Sequence, residues 1–419
     1  MTKEIRYSVR PVSFWMDKIL EKENKRPLTQ EAAKQERQLM SDSYMEEYLP
    51  FKSRPELLEE YISTGGNIRI GKILEDLDSL AGSIGYKHAD TKLPGPPTAI
   101  VTASVDRMEL LLPNNVEDLK ISGHVAYVGS SSMEVFVKVE TMQNYDPSFV
   151  SRDEPPVDFM AKPTPNTVLF ARFTMVCIDS VTGKSAKVNP LYLANDEEKS
   201  LFKFAQDSKM RKRLASDTAL SKAPPTAEER LAIHDLYMKY SKFDKKEMLP
   251  KEMVWMEDTY LQSVFLMQPQ DRNIHNKIFG GYLMRRAYEL AHATGRMFTK
   301  SQIRLLSLDE ILFRKAVPVG TYLNLHSQIT YARGDPEKSF EVSVTAEVKD
   351  VDNDTTDVTN TFHFTFATAD KPVPSILPRT YAESMSYLEG KRRDEHGVMA
   401  KKELLELMGC RPPTVSIQG

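Results

Sequence analysis

A polar loop that runs into a pair of glycines is the stretch of this sequence best suited to chemistry. Residues 271–281 read DRNIHNKIFGG, and an apolar helical stripe follows over residues 283–294. A glycine at a helix start lets a ligand approach the backbone, and the free N–H groups of the first turn can polarise a carbonyl or bind an anion. Asp271 supplies a carboxylate in the same loop. A loop acid beside an open helix start suits acyl-transfer chemistry.

The elements around this loop occur twice in the chain. A second apolar helix follows Gly71, 210 residues before the first (281 minus 71). Strand patterns follow each helix, and aligning Asp106 with Asp309 gives an offset of 203 residues (309 minus 106). The predicted strands are 98–112, 120–129, 133–141 and 167–179 after the first helix, and 303–313, 322–332, 339–350 and 359–369 after the second. This order indicates an internal duplication of about 200 residues. Because helices and strands do not alternate, it predicts an α+β fold in which a long helix is wrapped by its own antiparallel sheet.

The remaining segments look like helical additions to these two units. Residues 1–60 are polar and mostly helical in pattern, and Thr226 with Glu229 forms a capping box that begins a linker helix. Two further short helical stretches follow Pro378. The predicted organisation is an N-terminal helical extension (1–43), unit 1 (44–194), a helical linker (195–250), unit 2 (251–375) and a C-terminal tail (376–419).

Composition excludes several classes of protein. The 56 basic and 59 acidic residues leave no overall positive field, so nucleic acid is not an expected partner. Cys177 and Cys410 cannot build a disulfide framework, and neither has metal-type spacing, which points to a reducing compartment. No apolar run approaches the roughly 20 residues that span a bilayer. The N-terminus has basic residues but also Glu4 and Asp17, which argues against a clean transit peptide.

The motifs taken together resemble those of double-hotdog acyl-CoA thioesterases of the mitochondrial type. The signature Asp-x-Asn followed by Ile-Phe-Gly-Gly stands at residues 271–281. The stretches that carry the resemblance are 67–80, 122–125, 132–135, 273–290 and 362–366. They occur in order, and the resemblance extends from about residue 40 to residue 390.

The resemblance implies an activity and an assembly. The implied reaction is hydrolysis of acyl-CoA substrate to a free fatty acid and the product CoA, with no metal and no cofactor. The implied location is the mitochondrial matrix, and the cytoplasm is the alternative because the sequence shows no clear transit peptide. Two tandem hotdog units would form an internal pseudo-dimer, and relatives of this type assemble further as homo-oligomers, as trimers of the pseudo-dimer. Acyl chain length is not legible from sequence, because it depends on the depth of a tunnel.

The resemblance also implies catalytic residues. Asp271 lies where the family's catalytic acid lies, and a carboxylate can activate water or attack the thioester carbon. Tyr61 stands ten residues before Gly71, at the place of the corresponding acid, so the first unit lacks it. Asn67 paired with Asp271 is the expected composite site, and Asn273 competes for the amide role. Simple capping of a loop or helix is the structural alternative for Asp271 and Asn67.

Further residues are candidates for binding or for acid–base roles. Substrate binding is expected from Gly71, His275, Gly280 and Gly281. For the glycines, the compatible structural alternative is close contact between helix and sheet. Asp78 and Glu289 are possible second acids, each with a purely structural alternative.

Other features leave alternatives open. His275 and His124 are possible bases, although single histidines more often serve structural hydrogen bonds. The basic run at residues 209–213 suits the phosphates of CoA, or a solvated linker face. Two functions remain as alternatives to acyl-CoA hydrolysis. One is a hotdog dehydratase that acts on 3-hydroxyacyl thioesters with His275 as base, and the other is a non-catalytic acyl-CoA-binding protein.

Overall fold

The structure of the protein is a computed structural model. It describes residues 38–89, 98–111, 116–142, 155–179, 182–217, 220, 222–243, 249–273 and 277–407. Over these residues, the chain forms one large antiparallel sheet around two long central helices, with further helices and two small parallel strand pairs at the periphery. Among the helices described here, none combines the length and apolar character that a membrane crossing requires.

The first half of the chain contributes a short helix, a long helix and a set of strands. The helices are α1 (Pro55–Tyr61) and α2 (Ile70–Ala89). The strands are β1 (Gln38–Leu39), β2 (Met45–Leu49), β3 (Thr98–Val105), β4 (Met108–Leu110), β5 (Asp118–Val128), β6 (Ser132–Met142), β7 (Thr167–Asp179) and β8 (Leu191–Tyr192). Helix α2 lies against the inner faces of β3, β5, β6 and β7.

Two helices follow, α3 (Asp196–Asp217) and α4 (Ala227–Tyr240), before the second half begins. The second half contains α5 (Gly280–Thr299) and ends with α6 (Tyr381–Leu407). Its strands are β9 (Met253–Trp255), β10 (Leu261–Leu266), β11 (Ile303–Leu308), β12 (Ile311–Leu312), β13 (Tyr322–Ala332), β14 (Ser339–Asp350), β15 (Thr355–Thr368) and β16 (Ser375–Leu377). Helix α5 lies on β13, β14 and β15, and alternate residues of β15, Phe362, Phe364 and Phe366, are fully buried beneath it.

The two halves join edge to edge into one sheet. Within the described residues this sheet has 12 strands, in the order β10-β13-β14-β15-β11-β4-β7-β6-β5-β2, with β3 and β12 paired beside the junction. At the junction, Met108 lies opposite Leu308 and Val105 lies opposite Ile311. An offset of 203 residues converts one pair into the other, because Val105 is equivalent to Leu308 (308 minus 105) and Met108 is equivalent to Ile311 (311 minus 108). The contact is therefore reciprocal, as in a twofold interface.

Glycines allow the two central helices to approach each other closely. A Cβ on Gly71 would lie 2.9 Å from Cγ of Arg285, and a Cβ on Gly281 would lie 2.8 Å from Cα of Glu75. These two contacts also exchange under one offset, here 210 residues (281 minus 71, and 285 minus 75). The first turn of each helix thus lies against the second turn of the other helix, where any side chain larger than hydrogen would clash.

Several expectations about secondary structure need correction. Residues 45–49 form an edge strand rather than a helix, because their backbone pairs with β5. The predicted strand 98–112 is divided into β3 and β4, and the predicted strand 303–313 is divided into β11 and β12. The division lies at the junction of the two halves, where β4 pairs with β11 and β3 pairs with β12. The C-terminal tail forms one 27-residue helix in place of two short ones. The capping box at Thr226 is confirmed, since its side chain accepts from Glu229 N–H and Glu229 reciprocates. Residues 1–37 of the expected N-terminal extension lie outside the described residues.

Candidate active site

The two helices bring a buried carboxylate from the first half to a helix start in the second half. Asp78, on α2, is 1% exposed. Its Oδ2 accepts a 2.6 Å hydrogen bond from the N–H of Gly281, in the first turn of α5. Its Oδ1 accepts a 2.8 Å hydrogen bond from Oγ1 of Thr102, on β3. An acid of one half, held at the helix N-terminus of the other, is the most chemically distinctive arrangement in the described part of the chain.

Burial changes the acidity of this group. Loss of hydration raises the pKa of Asp78 to about 6, while the hydrogen bonds from Thr102 and Gly281 stabilise the charged form and limit the rise. Glu75, on the same helix, adds a further raising effect. A carboxylate with a pKa near 6 is ionised at neutral pH and is more basic than an ordinary aspartate.

The glycine at position 280 also lets the start of α5 approach this carboxylate closely. A Cβ on Gly280 would lie 2.9 Å from Oδ2 of Asp78 and 3.3 Å from the ring of Phe313. The predicted roles of Gly280 and Gly281 at a thioester oxygen stay predictions. The geometry adds that the N–H of Gly281 is bound to Asp78, and that the Cα of Gly281 is pressed against α2 by the close contact of the helices.

The loop that precedes α5 holds the other predicted residues of this half. Asp271 ends a 3-10 turn, its backbone C=O accepts from Phe279 N–H at 3.2 Å, and it is half-buried. Its carboxylate contributes to the electrostatic environment of Arg286. Asn273 closes the loop, because its Oδ1 accepts from Lys277 N–H at 3.1 Å. His275 lies outside the described residues.

Asn67 and Asp271 lie in different surroundings. Asn67 is exposed in the turn before α2, and it lines a cavity together with Tyr288 and Glu289. Asp271 is not among the residues that line this cavity. The predicted composite pair of Asn67 and Asp271 therefore gains no geometric support from this cavity.

Glu289 is engaged by basic side chains rather than buried as Asp78 is. It is paired with Arg69, and its Oε2 lies 3.4 Å from Nη1 of Arg286. At the position 210 residues after Asp78 stands Tyr288 (288 minus 78), and a Cβ on Gly71 would lie 3.4 Å from its ring. Tyr288 thus occupies, at the start of α2, the place that Asp78 occupies at the start of α5.

Three other predicted features have structural positions of their own. His124 is fully buried on β5, and its Nε2 accepts a 3.0 Å hydrogen bond from Ala161 N–H. Burial lowers the pKa of His124 to about 4, so it holds a loop rather than serving as a base near the site. Tyr61 donates a 2.7 Å hydrogen bond to Asp76, on the opposite side of α2 from the Asp78 contacts. The backbone of residues 209–213 is helical, but their side chains lie outside the described part of the chain.

Thr102 is the residue at this site that sequence analysis did not single out. It lies in a β-branched strand, where threonine is common, and its polar role becomes apparent only because β3 passes beside α2. A signal was available in the offsets: the positions equivalent to Asp78 and Thr102 in the second half are Tyr288 and Leu305 (305 minus 102 is 203). The carboxylate and the threonine hydroxyl are therefore both absent from the equivalent positions of the second half.

Known proteins that resemble this chain in sequence or in structure include several that are acyl-CoA thioesterases or acyl-CoA hydrolases by name. No protein-family model matches the chain. Acyl-coenzyme A thioesterase 9, mitochondrial, of Bos taurus is 39% identical over 407 residues, which are 93% of this chain and 88% of the relative. Acyl-coenzyme A thioesterase 10, mitochondrial, of Mus musculus is 39% identical over 395 residues, which are 91% of this chain and 84% of the relative. Among solved structures, an acyl-CoA hydrolase of Staphylococcus aureus in complex with butyryl coenzyme A and coenzyme A is 27% identical, covers 38% of this chain and 99% of its own, and has a TM-score of 0.35.

Proposed function

The chain belongs to the family of the mitochondrial acyl-coenzyme A thioesterases 9 and 10, and we propose that it hydrolyses fatty acyl-CoA to a free fatty acid and CoA. The names of these relatives favour hydrolysis over a dehydratase reaction and over binding without turnover. They are also named as mitochondrial proteins, so the mitochondrion is the proposed location.

The observation that carries the catalytic assignment is the buried Asp78 carboxylate bonded to Gly281 N–H and Thr102 Oγ1. Asp78 is the proposed catalytic acid residue, in place of Asp271. Burial removes this carboxylate from water, and the hydrogen bonds to both of its oxygens fix its orientation. Its raised pKa of about 6 makes it an effective base. Asp271 and Asn273 are left to shape the loop that leads into α5.

Two routes are open to Asp78. It can take a proton from a water molecule, which then attacks the thioester carbon, or it can attack that carbon itself and form an acyl-carboxylate anhydride that water hydrolyses. In both routes, the bond between carbonyl carbon and sulfur breaks and CoA leaves as the thiolate. The N–H groups in the first turn of α5, apart from the Gly281 N–H that Asp78 already binds, would stabilise the negative charge on the thioester oxygen.

Two tandem hotdog units, related by an internal pseudo-dyad, are the proposed architecture. Reciprocal contacts support this architecture. Gly71 of α2 contacts α5 as Gly281 of α5 contacts α2, and the strand pairs at the sheet junction are matched in the same way. Matched β-bulges add support, since one interrupts β3 between Thr102 and Ser104 and another interrupts β11 between Leu305 and Ser307. The boundaries proposed for the units and the linker are 44–194, 195–250 and 251–375.

A homo-oligomer, as a trimer of pseudo-dimers, is the proposed assembly. Apolar side chains stand exposed on the edge strand β10, with Val264 at 58% and Leu266 at 44% exposure. Size-exclusion chromatography with light scattering tests this directly. A mass near three chains supports the trimer, and a mass near one chain of 47.7 kDa contradicts it.

Free-thiol release from a series of acyl-CoAs tests the proposed function. The protein is compared with Asp78→Asn and with Asp271→Asn as the matched control. Asparagine keeps the volume of Asp78 and an oxygen that can accept from Gly281, but it is not basic. A loss on the order of 100-fold or more in kcat for Asp78→Asn alone supports the assignment. A comparable loss for Asp271→Asn alone moves the chemistry to the loop, and no thiol release from any acyl-CoA contradicts hydrolysis.

A further inference from the structure

A cavity of about 1000 Å³ lies at the start of α2, on the opposite side of the helix pair from the Asp78 contacts. It is walled by the turn before α2, the second half of α5, and strands β4 and β11. Asn67, Tyr288 and Leu305 are among its lining residues. This cavity is not part of the Asp78 site.

Internal duplication makes this cavity the counterpart of the proposed active site. Gly71 begins α2 as Gly281 begins α5, Tyr288 stands at the position of Asp78, and Leu305 stands at the position of Thr102. Tyr288 and Leu305 both line the cavity. The chain has thus kept the glycine at the helix start, and has an aromatic ring and an aliphatic side chain where the other site has its acid and its hydroxyl.

These replacements remove the means of hydrolysis from the cavity. Burial, together with the charge of Glu289, raises the pKa of Tyr288 above its usual range, so its hydroxyl does not act as a base at neutral pH. In the described part of the lining, the carboxylate is that of Glu289, and it is paired with Arg69 and Arg286. A thioester bound here meets no basic carboxylate like that of Asp78.

The lining combines positive charge with an apolar wall. Among the described residues, Arg69, Arg296, Arg304 and Lys401 line the cavity together with one carboxylate, that of Glu289. Among the described residues, no salt bridge engages Arg296 or Arg304, so both guanidinium groups are available to an anion. The apolar lining residues include Ile68, Ile70, Ile303, Leu305 and Leu306. Guanidinium groups suit phosphate, and the apolar wall suits the uncharged arm of the same ligand.

We propose that this cavity is a second binding site for CoA and its thioesters, which holds the ligand without hydrolysing it. The proposal rests on the proposed function, because it takes the ligand class from the active site to which the cavity corresponds. Arg296 and Arg304 are assigned to the phosphates of CoA. Each chain would then bind two equivalents of CoA, one beside Asp78 and one in this cavity.

Isothermal titration of the intact protein with CoA tests the proposal, and a second titration uses butyryl-CoA with the Asp78→Asn variant so that the thioester persists. Both are repeated with Arg296→Glu/Arg304→Glu and, as a matched control on an exposed face of α4, with Arg230→Glu. The expected result is two sites per chain, of which the double variant weakens one by at least about tenfold. Arg230→Glu keeps both. Lys401→Glu, at an exposed position, provides the same test if the double variant does not fold.

The outcomes separate this proposal from the proposed function. Thiol release by the wild-type protein with a single CoA site per chain overturns the second site alone. Two sites that are both unchanged in Arg296→Glu/Arg304→Glu and in Lys401→Glu also overturn it, because the ligand then lies elsewhere. Absence of both thiol release and CoA binding contradicts the proposed function, and with it the ligand class assigned to this cavity.

Discussion

Glu75 and Arg285 form an ion pair across the two central helices, with Oε2 and Nη1 3.0 Å apart. The two residues are separated by 210 positions (285 minus 75), which is the same offset that relates Gly71 to Gly281. They are therefore equivalent positions of the two halves, and they meet where a pseudo-dyad would cross the helix pair. Opposite charges at equivalent positions are possible only because the two halves belong to one chain with two different sequences.

Exchanging these charges is expected to restore stability that either single substitution removes. The side chains of Glu75 and Arg285 are 9% and 14% exposed, so Glu75→Arg or Arg285→Glu alone leaves like charges in a nearly dry interface. Each is expected to cost about 3 kcal/mol or more in free energy of unfolding. The double exchange recovers part of this loss, although Lys72 lies 3.6 Å from Glu75 and would oppose an arginine there. Chemical denaturation of the four proteins measures the coupling, and additive losses would contradict a direct pair.

Much of the fold could be predicted because local patterns agree with it. The expected helix 281–298 differs from α5 by one residue at each end, and strands 167–179, 322–332 and 339–350 have the ends that were expected. Strong periodicity over long segments explains this agreement. The edge strand Met45–Leu49 was not predicted, since five residues that include two glutamates carry little strand signal, and the pairing with β5 decides their conformation.

The candidate site could be predicted only in part, because its acid is defined by tertiary contacts. The sequence indicates which helix starts carry glycines, and it includes Asp78 among the possible acids. It does not show that Asp78 meets Gly281, 203 residues away, or that Thr102 supplies the second hydrogen bond. Asp271 is predicted as the catalytic acid because it belongs to a recognisable sequence motif. The burial of Asp78, in contrast, depends on two helices and a strand that meet only in the folded protein.

The acid side of the pH profile should report the ionisation of Asp78. Burial raises its pKa to about 6, so the carboxylate gains a proton, and loses its basicity, as the pH falls through that value. kcat/KM for thiol release is therefore expected to decrease below pH about 6, well above the pKa near 4 of an ordinary aspartate. A circular dichroism spectrum that stays unchanged across this pH range separates protonation of Asp78 from unfolding of the protein. An acid limb near pH 4 would argue against Asp78 as the base.

Thr102 is expected to position Asp78 and tune its pKa, and Thr102→Val tests this with little change in volume. Loss of the hydroxyl removes a hydrogen bond that stabilises the ionised carboxylate, so the pKa of Asp78 should rise and the acid limb should move to higher pH. kcat is expected to fall about tenfold. Thr102→Ser keeps the hydroxyl and should restore both the rate and the limb. A fall in rate with an unmoved limb, not rescued by serine, would indicate only a structural role.

Glu47 should make the protein less stable as the pH rises. This residue, on β2, has a pKa raised to about 8, first because burial disfavours its charge and then because Asp76 lies nearby. Since the folded state binds the proton more tightly than the unfolded state, its contribution to stability is present below the unfolded pKa of roughly 4 and is lost as the pH rises through about 8. Glu47→Gln cannot ionise, so its melting temperature should exceed that of the wild-type protein above pH about 8 and approach it near pH about 5. Glu59→Gln, at an exposed position on α1, is the matched control and should follow the wild-type curve. Parallel melting curves for Glu47→Gln and the wild-type protein across this range would show that Glu47 ionises alike in the folded and unfolded chains.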